Sequence, residues 1–163
     1  MIFGLILVSS SNKITMAEDA LTLTIERTFA APVERVWRAW SDRDIIANWW
    51  GLPGMEVLMA KHDFQEGGEW RYIMPMPDGS EFVSEGEYQE IQDGSRILTS
   101  ASFLPMTDGV IIDISLVGHD GGTQMTFSVI HQTEVQKEAQ ENMGFFKGWG
   151  IAFDRLAEVV GKE

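Results

Sequence analysis

APVERVWRAWSDRDIIANWWG, running from Ala31 to Gly51, is the stretch that decides how this chain is read. Pro32 suits the first turn of a helix, where its missing N–H costs nothing. Val33, Val36, Trp37 and Trp40 then recur at helical spacing. Ser41 or Asp42 can cap a second short helix. Ile45, Ile46, Trp49 and Trp50 lie on that helix, and Gly51 and Pro53 stop it. Four of the six tryptophans fall here, at 37, 40, 49 and 50. An indole is large, and its N–H needs a partner when buried. Four of them on two short helices make a wall that covers either a core or a cavity.

Outward from this wall the pattern changes. Before it, Leu21, Leu23 and Ile25 alternate with Thr22, Thr24 and Glu26, which is a strand with one buried face. After it come six stretches separated by turn signals. They run over 55–64, 69–76, 81–92, 96–104, 110–118 and 123–131, with Gly67-Gly68, Pro77-Asp78-Gly79-Ser80, Asp93-Gly94, Asp108-Gly109 and Asp120-Gly121-Gly122 at the joints. Short connections of this kind predict an antiparallel meander. From 135 to 160 the spacing predicts one long helix. Ala139, Met143, Phe146, Trp149, Phe153, Leu156 and Val160 recur at steps of three and four. Gly144, Gly148 and Gly150 each weaken that helix by roughly 1 kcal/mol relative to Ala. Gly150 falls within the apolar stripe. It leaves either empty volume for a ligand or room for close packing of a neighbour, and the sequence does not choose. The order of elements is α+β, with a curved antiparallel sheet wrapped around a long C-terminal helix and two short helices after the first strand.

Composition sets further bounds. A chain of 163 residues with 44% hydrophobic content is of single-domain size. Its net charge of −13 repels phosphate backbones and anionic membrane surfaces, so neither nucleic acid nor membrane is an expected partner. There is no cysteine, hence no disulfide framework. That fits a reducing compartment, and a cytoplasmic protein is the expectation. The apolar run Ile2–Val8 lacks a preceding positive charge and a clean cleavage pattern. Residues 1–16 therefore read as a tail or over-extended start, and 17–163 as one ligand-binding domain. A chain beginning at Met16 is expected to melt within a degree or two of the full chain, roughly the cost of losing unpacked residues.

Chemistry-bearing constellations are sparse. His62, His119 and His131 show no metal-ligand spacing, and no metal or cofactor is implied. His119 lies in a turn, and His62-Asp63 near a strand end suits a surface role. His131 continues the inward alternation Met125, Phe127, Val129. It is either a core-edge histidine bonded to backbone or a group at a cavity mouth. Glu85 and Glu87 share one strand face and are expected to point to water, because two buried like charges are expensive. Trp70, Tyr72 and Met74 then face inward. Ser84, Ser100 and Ser102 lack an adjacent base.

Several motifs in order carry a resemblance: Phe29-Ala30-Ala31-Pro32-Val33-Glu34-Arg35-Val36-Trp37, Trp49-Trp50-Gly51, Gly67-Gly68-Glu69-Trp70-Arg71, Pro77-Asp78-Gly79, Gly86-Glu87-Tyr88, Gly148-Trp149 and Asp154-Arg155-Leu156. Through them the chain resembles the activator-of-heat-shock-ATPase homology domain. That domain belongs to the helix-grip superfamily of START-type lipid-transfer domains, birch-pollen-type allergens and polyketide cyclases. Leu52 departs from the pattern by separating Gly51 from its proline. The resemblance implies a deep cavity between sheet and long helix that takes an apolar or amphipathic small molecule. Its expected wall is Trp50, Trp70, Tyr72, Met74, Phe127, His131, Met143, Phe146, Trp149 and Gly150. Fold does not fix activity. Non-catalytic binding is the first expectation. A cavity enzyme of cyclase or hydrolase type is the alternative, with His131, Tyr72 or an inward glutamate as acid–base. A chaperone-ATPase-activating module is a third reading, weakened by the lack of room for the family's separate co-chaperone domain. A homodimer is compatible with the sequence.

Overall fold

Six strands joined by the turns just described, with the strand that precedes the two short helices, build most of the sheet, and two more extend its edge. The computed structural model describes residues 5–7, 12–16 and 20–161. The strands are β1 (Leu5–Leu7), β2 (Asn12–Met16), β3 (Thr22–Phe29), β4 (Leu58–His62), β5 (Glu69–Pro75), β6 (Glu81–Gln92), β7 (Arg96–Leu104), β8 (Thr107–His119) and β9 (Gly122–Ile130). All pairings are antiparallel, in the order β1-β2-β3-β9-β8-β7-β6-β5-β4. Strand β3 thus returns to pair with the last strand, Ile25 opposite Phe127. The short helices α1 (Val33–Ser41) and α2 (Arg43–Ile46) follow β3, and Asp42 caps α2 by accepting the Asp44 N–H at 2.8 Å. The α2 helix is shorter than the sequence suggests, and turns carry the chain from Ala47 to Gly51.

Inward-facing Leu23, Ile25 and Phe29, Ile112, Ile114 and Leu116, and Met125, Phe127 and Val129 form the core's sheet face. The C-terminal helix supplies Phe153, Leu156 and Val160 against it. Between them lies an aromatic stack. Trp49 is fully buried, and its indole N–H donates to the Ala39 carbonyl at 2.8 Å. Its ring centroid is 4.7 Å from that of Trp40 and 6.3 Å from that of Phe153. Arg27 shares the inward parity of β3. It is 5% exposed and pairs with Asp154 of the helix at 2.7 Å.

The long helix is two helices. Helix α3 (Glu134–Asn142) ends at Met143, and α4 (Phe145–Gly161) starts anew. Gly144 sits between them at φ 94°, a left-handed conformation that glycine adopts without penalty and that ends a helix. The apolar periodicity runs across the break, so spacing alone predicts continuity. No residue of α3 is buried. A ladder of glutamines docks it instead. Gln132 Nε2 donates to the Gly109 carbonyl at 2.7 Å, Gln136 Nε2 to the Asp108 carbonyl at 2.8 Å, and Gln140 Nε2 to Thr107 Oγ1 at 3.0 Å.

Strands β1 and β2 fall in the stretch read as a tail, while 1–4, 8–11 and 17–19 lie outside the described residues. Residues 12–16 of β2 pair with 23–27 of β3. A chain beginning at Ala17 forfeits that ladder but keeps β3 paired with β9 and every core side chain named above. We therefore expect it to fold cooperatively and to melt a few degrees lower, more than the degree or two expected of a loose tail. Thermal melts of the two chains measure the difference.

Candidate functional site

The deep interior between sheet and helix is filled by rings. The void there is about 20 Å³, among Trp40, Trp50, Trp70, Tyr72, Tyr88 and Ile112. That is room for about one water. The larger apolar space is an open groove of about 360 Å³ at one end of the sheet. Three elements shape it. The turn Trp50-Gly51-Leu52 forms one wall. Met74, Met76, Phe82 and Phe103 of the β5–β7 region form the floor. The α3–α4 junction closes it with Met143, Gly144, Phe145, Gly148 and Trp149.

Local chemistry fixes each wall. Gly51 has φ 84°, and a Cβ there would lie 3.1 Å from Met74 Sδ, so the turn presses directly on the floor. Arg155 of α4 clamps the turn from behind. Its guanidinium donates to the carbonyls of Asn48 at 2.8 Å, Gly51 at 3.0 Å and Trp50 at 3.4 Å. Trp50 is 8% exposed and makes edge contacts with Trp70, Tyr72 and Trp149. Its N–H reaches Ser84 Oγ at 3.4 Å.

Of the residues named from sequence, Trp50, Met74, Met143 and Trp149 line the groove. Trp70, Tyr72 and Phe127 are buried in the aromatic core behind it. Phe146 is partly buried against that core and makes an edge contact with Phe145. Gly150 is buried on the sheet side of α4, its carbonyl 3.5 Å from Arg27 Nη1. Gly148 opens on the groove instead, and a Cβ there meets nothing within 4 Å. His131 is 2% exposed and stands behind the groove, bonded to the Leu21 carbonyl and to Gln140. Sequence reasoning missed Gly51, Leu52, Met106, Phe145 and Gln140. Nine methionines in the chain are the sequence signal for an adaptable apolar surface of this kind.

His62 is half-buried rather than a freely solvated surface residue. Its Nε2 lies 2.7 Å from the Ser41 carbonyl, which can only accept, so the ring carries its proton there. Nδ1 then accepts the Tyr72 hydroxyl at 2.6 Å. The ring lies between Phe64 and Tyr72. Burial holds the Tyr72 hydroxyl well above the usual phenol range, with Tyr88 beside it adding to the effect. Burial likewise raises Tyr88, and Asp63 adds to it. Glu85 and Glu87 border a charged depression on the outer sheet face, where Glu85 pairs with Arg71 at 3.2 Å. Among the described residues no group of three His, Asp or Glu side chains could hold a metal ion, and no helix is long and apolar enough to cross a membrane.

A curved antiparallel sheet gripping a C-terminal helix, with an apolar groove at one end, is the helix-grip architecture. The chain belongs to the family described as Activator of Hsp90 ATPase homolog 1-like protein, whose pattern matches residues 30–161. Solved structures agree. The chain is 26% identical to protein Ms6760 from Mycobacterium smegmatis, with a TM-score of 0.81 over 92% of this chain and 96% of that one. It is 27% identical to protein NE0264 from Nitrosomonas europaea, with a TM-score of 0.80 over 90% and 97%. A protein from Rhodobacter sphaeroides at 19% identity shares the fold, with a TM-score of 0.87 over 94% and 100%. Comparison with curated proteins gives no match.

Proposed function

We propose that this protein binds an apolar or amphipathic small molecule in the groove between the Trp50–Leu52 turn, the sheet and the α3–α4 junction, and that it does so without catalysis. The observation that carries this is the groove itself. It offers about 360 Å³ walled by indoles, phenyl rings and thioethers, with no charged side chain among its lining residues. Such a surface gains by removing apolar ligand surface from water. Thioethers adapt to varied shapes. The acid–base candidates lie elsewhere: His131 behind Gln140, Tyr72 in the core, and Glu85 and Glu87 on the outer face. With no cysteine, the chain suits a reducing compartment such as the cytoplasm.

Gly148 supplies the test. It lies in α4, lines the groove and has open space where a side chain would go. Gly148→Leu should fill the groove and weaken binding of the uncharged dye Nile red by about tenfold or more. Leaving glycine in a helix gains up to about 1 kcal/mol, so the variant should melt no lower than the parent. A fluorescence titration and a thermal melt read both effects. Unchanged dye affinity in a well-folded variant would place any binding outside the groove.

A further inference from the structure

We propose that the groove selects an uncharged ligand bearing a carbonyl oxygen, that Gln140 reads this oxygen, and that the buried His131 positions Gln140. The proposal rests on small-molecule binding in the groove and adds the chemical class.

None of the seventeen residues lining the groove is charged. An ionised ligand would give up its hydration there without an opposite charge to replace it. The chain's net charge of −13 further repels an anion such as a carboxylate. Beyond the indoles, the polar side chains on the walls are Ser84, Thr107 and Gln140. Ser84 Oγ accepts the Trp50 N–H, and Ser84 and Thr107 are 2% and 4% exposed, whereas Gln140 is half-buried.

Gln140 is held from behind. His131 Nδ1 lies 2.9 Å from the Leu21 carbonyl, which can only accept, so Nδ1 donates to it. His131 Nε2 lies 2.6 Å from Gln140 Oε1, and Gln140 Nε2 lies 3.0 Å from Thr107 Oγ1. A primary amide has two N–H donors. With its oxygen toward His131, one donor serves Thr107. With its nitrogen toward His131, one donor serves the ring. The first orientation needs a proton on both ring nitrogens; in either, a second amide N–H has no partner among these contacts, on a side chain that lines the groove. The geometry thus puts the amide donor of Gln140, the most exposed polar side chain beyond the indoles, in an uncharged space, and a carbonyl oxygen is its complement. A hydrocarbon leaves that donor unpaired once water is displaced, which costs affinity.

Three probes of nearly one shape test this: acetylnaphthalene, ethylnaphthalene with CH₂ in place of C=O, and naphthoate. Binding is followed by tryptophan fluorescence at neutral pH. The parent protein should bind the ketone about tenfold more tightly than the hydrocarbon, the worth of one good hydrogen bond. Naphthoate should bind more weakly than the ketone. Gln140→Leu should bring the ketone-to-hydrocarbon ratio to about one while hydrocarbon affinity stays within about twofold. If that variant folds poorly, Gln140→Met serves as the same test. His131→Leu should lower the ratio with hydrocarbon affinity kept. A merely structural histidine would move both affinities together.

A ratio retained in Gln140→Leu overturns the assignment of Gln140. Naphthoate binding as tightly as the ketone overturns the choice of an uncharged ligand. Equal binding of ketone and hydrocarbon by the parent overturns the selection while small-molecule binding stands. Binding of no probe overturns both.

Discussion

No phenolate signal should emerge on raising the pH until the fold itself gives way. The chain has two tyrosines, Tyr72 and Tyr88, and they are 2% and 5% exposed. Burial is the largest cause that raises each hydroxyl above its ordinary value of 10.0. Below that value both folded and unfolded chains keep the phenols neutral, and the full stability is present. Above it the unfolded chain ionises and the folded chain does not. Stability then falls by about 1.4 kcal/mol per pH unit for each tyrosine, or about 2.7 for the pair, until the folded-state values are reached. Two units of pH are enough to remove about 5 kcal/mol, the scale of a whole small domain's stability. Phenolate absorbance and far-ultraviolet circular dichroism should therefore change together in one steep alkaline transition. A gradual phenolate rise near the ordinary value, with the dichroism unchanged, would mean that water reaches one of these rings in the native state.

Trp49→Ala should be the most damaging single truncation in the helical wall. The ring is fully buried, donates to the Ala39 carbonyl, and touches Trp40, Trp50 and Phe153. Removing it leaves a cavity at the centre of the stack and an unpaired carbonyl. Comparable truncations cost about 3–5 kcal/mol, which for a domain of this size lowers the melting temperature by roughly 10–15 °C. Trp37 is the control. It is only partly buried and makes an edge contact with Phe64, so Trp37→Ala should cost less than half as much. Equal losses at the two positions would show that the stack around Trp49 collapses to fill the gap.

The strands were legible because their boundaries are written in glycine, proline and aspartate, and those residues act through local backbone geometry. The two short helices were legible for the same reason. The break at Gly144 was not, because a glycine inside an apolar periodicity reads as a weak helix position until its φ is known. The place of His62 was hidden by a register shift. Between Met59 and Lys61 the pairing of β4 with β5 slips, so that Met59 and His62, three apart, both face inward while Ala60 and Lys61 face out. Strict alternation puts Met59 and His62 on opposite faces. In the groove, Trp50, Met74, Met143 and Trp149 could be named because each belongs to a patterned element. Leu52, Met106 and Gln140 belong to a turn, a hairpin end and a polar helix face, and their convergence depends on how those elements meet. The cavity expected beneath the helix is smaller than the family resemblance implies, because Trp40, Trp49, Phe127 and Phe153 occupy that space with their own rings.

Five of the six tryptophans form one connected series. Trp40 touches Trp49, Trp49 touches Trp50, and Trp50 touches both Trp70 and Trp149, with ring centroids 4.7 to 5.8 Å apart. At such separations an excited indole hands its energy to its neighbour faster than it emits. Light absorbed deep in the domain therefore migrates, and its polarisation is lost on the way. Trp50 and Trp149 are the members of the series that reach the groove. A molecule that quenches either one drains the whole set. The fold thus carries a built-in antenna whose outlet is the groove wall.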